Sequence, residues 1–171
     1  MKATCQHFRE CIEWRKLTLA ERTRPDGTLT KWKFILLRDV FIEVETGATR
    51  HYNCLGRNGV IWMKILPHGI TVMKGYAWNG NTGAPETPFG ISMLIGSLVH
   101  DGLFQFSGVL GFPRLLISRT WCNDLYYALS DKRIAWAYRI GLALGSWAFW
   151  GLDPEDGEHV ESLPLHLTEP T

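Results

Sequence analysis

His100 and Asp101 sit side by side in the apolar run GSLVHDGLFQF, residues 96–106. A neutral imidazole can take a proton from water near physiological pH, and a carboxylate can fix its tautomer or hold a cation. Ionisable groups placed among apolar residues need a partner or hydrogen bonds, because burying them alone is expensive. A second carboxylate, Asp124, follows in SRTWCNDLYYAL, residues 118–129. Consecutive positions on a helix diverge by about 100 degrees, so His100 and Asp101 are expected to serve different neighbours. His100 is expected to meet Asp124 across a helix pair, with Asp101 facing the loop Gly80-Asn81-Thr82-Gly83. The carbonyls of that loop and the side chains of Asn79 and Asn81 are hard oxygen ligands suited to calcium or magnesium. A structural reading competes: the same residues, with Arg119, make a self-satisfied buried network that fixes helix packing. Asn79-Gly80 is a favoured turn pair in either case, and Trp78 fits a core position.

The elements that must position these groups change character near residue 76. Before it, KWKFILLRDVFIEV (31–44), VIWMKIL (60–66) and ITVMKGY (70–76) are rich in β-branched and aromatic residues. With the turn signal Pro67-His68-Gly69 between the last two, they predict an antiparallel sheet. Earlier, CQHFRECIEWRKL reads as a short helix, and Pro25-Asp26-Gly27 as a turn leading into the first strand. From residue 90 the period is helical. Ile91, Leu94, Ile95, Leu98 and Gly102 share one face, and Met93, Gly96, Ser97, His100 and Phe104 the adjoining one. Small residues on the His100 face allow a neighbouring helix or a substrate to come close. A second helix is expected from Pro113 or Ser118, with Thr120, Asp124 and Ala128 in one stripe. A third is expected after an Asp131 cap. The fold class expected is therefore α+β: an N-terminal antiparallel β-sheet, a glycine-rich loop at 79–83 and about three C-terminal helices. One domain spans 1–152, mainly β over 1–76 and mainly α over 90–152, and an acidic tail occupies 153–171.

Composition bounds the rest. With 171 residues, 46% of them hydrophobic and 20% charged, the chain can bury a real core and is not disordered throughout. All 18 basic residues but only 11 of the 17 acidic ones lie in 1–139, so a body with seven surplus positive charges precedes an acidic tail. The basic residues are scattered, as on an ordinary solvated surface, which disfavours nucleic acid as a partner. Four cysteines and no secretory leader predict free thiols in a reducing cytoplasm. Cys5, His7 and Cys11 lack a second ligand pair at a recognised spacing, which disfavours zinc. Residues 134–152 approach the length of a bilayer span, with Gly141 and Gly145 spaced for close helix contact. Arg139 is costly at membrane depth and favours a buried core helix there, with membrane association as the alternative.

Three ordered stretches, GYAWNGNTGAPETP, GSLVHDGLFQF and SRTWCNDLYYAL, resemble the phage and bacterial proteins grouped as domain of unknown function 1353. The resemblance covers about a third of the chain. Trp78, Gly80, His100, Asp101, Leu103, Ser118, Arg119 and Asp124 fall on its pattern. Asn79 stands where the family has aspartate, Thr82 where it has serine and Phe104 where it has tyrosine. In motif order the chain is also similar to secreted phospholipases of the A-two type. That similarity implies His100 as general base, Asp101 as a metal ligand, Asp124 as the group that orients His100, and residues 80–83 as backbone ligands. Phe104 cannot hydrogen-bond as the tyrosine of those enzymes does. The first functional expectation is a phage or prophage accessory protein with a metal-assisted hydrolase site for esters or amides of lipid or cell-wall material. The second is a non-catalytic virion component or binder of a host protein. The third is a small membrane-associated protein. Host cytoplasm or virion is the expected location.

Overall fold

The computed structural model describes residues 12–43, 46–56, 59–79, 90–106, 110, 140 and 159–163; for 90–96, 159, 160, 162 and 163 it describes the backbone. Two antiparallel sheets, rather than one, carry the N-terminal half. β1 (Trp14–Lys16) and β7 (Ala77–Trp78) flank β2 (Phe34–Leu36) in the smaller sheet. The larger has the order β3-β6-β5-β4-β8, from β3 (Val40–Glu43), β6 (Gly69–Val72), β5 (Ile61–Leu66), β4 (His51–Leu55) and β8 (His159–Leu163).

Alternation sets the faces. Val40 and Ile42 of β3 point inward while Phe41 and Glu43 point out, as a half-buried strand requires. Phe34 and Leu36, Met63 and Ile65, and Ile70 and Val72 complete the inner surface. Phe34 is the hub of the smaller sheet, edge-on to Trp14 at 5.5 Å between centroids and tilted against Trp78 at the same separation. Two aromatic rings lie where glycine leaves room. Phe41, although 52% exposed, covers Gly69 on the neighbouring strand, and Trp62 lies against Gly56 and Gly75. A side chain at 56 or 69 would overlap the ring outright, which explains glycine there.

The run 31–44 is not one strand. It crosses from one sheet to the other at Leu37-Arg38-Asp39, and each residue of the link is anchored. The Leu37 amide donates to the Glu13 carbonyl (2.8 Å), Arg38 meets the Glu13 carboxylate (3.1 Å) and Asp39 Oδ1 accepts the Lys74 amide (2.7 Å). The Pro67-His68 turn between β5 and β6 is as expected, with Leu66 opposite Gly69. The expected strand at 70–76 ends at Val72, since Gly75 turns the chain at φ 88°. Trp14–Lys16 is a strand and not the end of a helix, because it is zipped to β2 with Arg15 opposite Ile35. Residues 5–11 of that expected helix lie outside the described residues.

Helix α1 (Leu19–Arg22) begins just after β1, and a complete capping box starts it: Thr18 and Glu21 each satisfy the other's backbone amide. The Pro25-Asp26-Gly27 turn follows, closed by the Asp26 carboxylate accepting the Thr28 amide (2.9 Å). Helix α2 (Gly90–Gln105) is the long helix foreseen from residue 90. Its Leu98, Val99, Leu103 and the following Phe106 are buried in the core. The helices expected after Pro113 and Asp131 lie outside the described residues.

Candidate functional site

α2 is held to the smaller sheet through side chains. Trp78 Nε1, fully buried at the end of β7, donates to the buried Ser97 hydroxyl (3.3 Å), and Tyr76 OH bonds Gln105 Oε1 (2.9 Å). Gly102 lets the helix approach the larger sheet as well, because the Met63 methyl fills the space that a Cβ at 102 would take. Ser97 and Gly102 are thus small where Trp78 and Met63 must fit. What comes close to the small-residue face is a strand tryptophan, with no second helix needed at that point.

This docking leaves His100 and Asp101 on the margin of the buried face, with side chains 14% and 16% exposed. His100 Nδ1 lies 3.4 Å from Asp101 Oδ1. The two side chains thus approach each other at the helix margin. One turn on, Phe104 stacks on the imidazole at 4.2 Å between centroids and 29° between planes. The i, i+4 spacing that put His100 and Phe104 on one face made this contact legible. His100 Nε2 is buried and has no hydrogen-bond partner among the described residues. An imidazole so placed can accept a proton or a donor hydrogen through Nε2 while Nδ1–H points at the carboxylate.

Asn79, which follows Trp78, carries a buried acceptor, its Oδ1, that has no partner among the described residues. A hard cation or a donor group would satisfy such an oxygen. Among the described residues no group of three or more His, Cys, Asp or Glu side chains converges as metal ligands. Asn79 and Asp101 are the described members of the expected cation set. Gly80, Asn81, Thr82, Gly83, Arg119 and Asp124 lie outside the described residues, as do Cys5, His7 and Cys11.

Cys54 of β4 is buried, and desolvation pushes its thiol far above the ordinary range, so it is a core group and not a nucleophile. Among the described residues no helix is long and apolar enough to cross a membrane; of the segment 134–152 only Ile140 is described.

The fold and site define an α+β protein of two antiparallel sheets bearing a His-Asp pair on the helix that bridges them. No family model matches the chain, and no curated protein or solved structure matches it either.

Proposed function

We propose that the chain is a phage or prophage accessory protein in which His100 serves as general base for hydrolysis of an ester or amide of lipid or cell-wall material. The observation that carries this reading is the buried Nε2, without a partner among the described residues, on a ring braced by Asp101 and Phe104. A base needs an available lone pair on a fixed ring near its substrate, whereas a purely structural histidine normally has both nitrogens satisfied. The order of the three motifs, which resembles domain of unknown function 1353, supports the source. A calcium or magnesium ion held by Asp101 and Asn79, with Asn81 and the loop after it, would polarise the carbonyl under attack. The finer architecture, a glycine-rich loop followed by three helices with Asp124 near His100, belongs to the same proposal.

A second reading, a non-catalytic virion or host-binding module, is favoured by the Trp78–Ser97 and Tyr76–Gln105 bonds, which show that polar groups of α2 do structural work. His100→Gln distinguishes the two. As a general base, His100 contributes about 10²–10⁴ in rate, so the variant keeps its melting temperature and loses hydrolysis of an ester and amide panel, assayed with calcium, magnesium or chelator. Wild-type protein that hydrolyses nothing on the panel, together with a variant of lowered melting temperature, sinks the catalytic reading.

A further inference from the structure

We infer that Asp101 and Phe104 are positioning residues of His100, and that they hold the neutral ring as its Nδ1–H tautomer with Nε2 as the acceptor. Its catalytic meaning rests on the function proposed above, but the tautomer itself does not.

Three observations meet on one ring. Among the described residues, the hydrogen-bonding group beside Nδ1 is the Asp101 carboxylate at 3.4 Å, a long contact that the charge on the acceptor strengthens. A carboxylate in its ionised form only accepts, so the nitrogen facing it must be the one that bears hydrogen. Phe104 covers a face of the ring at 4.2 Å and 29°, which opposes rotation of the imidazole out of that alignment. Among the described residues Nε2 is buried with no partner, so none of them stabilises the alternative Nε2–H form as an acceptor. A solvated imidazole prefers to carry its hydrogen on Nε2, so a pure Nδ1–H form is a property that the fold must impose.

The test is a long-range proton–nitrogen correlation spectrum of the isotope-labelled full chain at about pH 8, well above the pKa of a histidine in model peptides. The signals of His100 are identified among those of the six histidines by their loss in His100→Gln. The wild type should show the Nδ1–H pattern. Asp101→Ala should move it to Nε2–H or a mixture, Phe104→Leu should give a mixture, and Phe104→Tyr should restore the wild-type pattern. An Nε2–H wild type overturns the inference, and so does an Asp101→Ala variant that keeps a pure Nδ1–H pattern. The first measurement decides the matter even if Asp101→Ala does not fold. An Nδ1–H wild type without hydrolase activity would defeat the proposed function alone.

Discussion

Trp78 Nε1 and Ser97 Oγ lie 3.3 Å apart, both fully buried, and their bond fixes the rotation of α2 on the smaller sheet. That rotation decides which helical positions enter the core and which reach its margin, where His100 and Asp101 stand. Ser97→Ala should cost about 1–3 kcal/mol, because it strands a buried indole N–H. In a double-mutant cycle with Trp78→Phe, measured by denaturant unfolding, the two should couple by about 0.5–1.5 kcal/mol. Strict additivity would show that the bond contributes nothing.

Gly102→Ala sets two effects against each other. Helix propensity gains about 1 kcal/mol, while the new methyl collides with the buried Met63 terminus and overpacking costs about 1–3 kcal/mol. The net expectation is a lower denaturation midpoint. Combined with Met63→Val, which removes the colliding methyl, the same substitution should be neutral or stabilising relative to Met63→Val alone.

Glu21 predicts a pH dependence. Its hydrogen bonds to the Arg15 guanidinium, then to the Thr18 amide and hydroxyl, pull its carboxyl from 4.5 down to about 2. A group whose folded pKa is depressed contributes stability that is present above the unfolded value and lost as pH falls through the folded one. The contribution of Glu21 should therefore fade between 4.5 and about 2. A carboxyl titration by NMR should find the Glu21 midpoint below that of an ordinary glutamate, and Arg15→Ala should raise it. An unchanged midpoint in that variant would remove Arg15 as the principal cause.

Cys54 should resist alkylation in the native protein and react once the chain is unfolded in urea, as followed by mass spectrometry of the peptide that contains it. Rapid native labelling would mean that β4 opens locally.

How far the sequence reveals these features depends on whether their causes are local. β-Branched and aromatic residues exposed the segments that hold β3 and β5, and the helical period exposed α2 with His100 and Phe104 on one face. The break at Leu37-Arg38-Asp39 was hidden because its anchors, Glu13 and Lys74, are remote in sequence. Trp14–Lys16 resembled a helix end for the same reason: only pairing with β2 makes it a strand. The sequence placed His100 and Asp101 at the centre of the candidate site, but not their mutual approach. Adjacent helical side chains usually diverge, and here their rotamers overcome the divergence.

β8 comes from within the acidic segment set apart by composition, yet its pairing with β4 runs from His51 opposite Leu163 to Leu55 opposite His159. The two strands are separated by about a hundred residues, which a ribosome working at about 5–20 residues per second needs on the order of ten seconds to add. Through that interval the outer edge of β4 lacks its mate, with its amides and carbonyls open to other nascent chains or chaperones. The larger sheet can therefore be sealed only about a hundred residues after β4 has been made, and a chain cut short before residue 159 would keep that seam open.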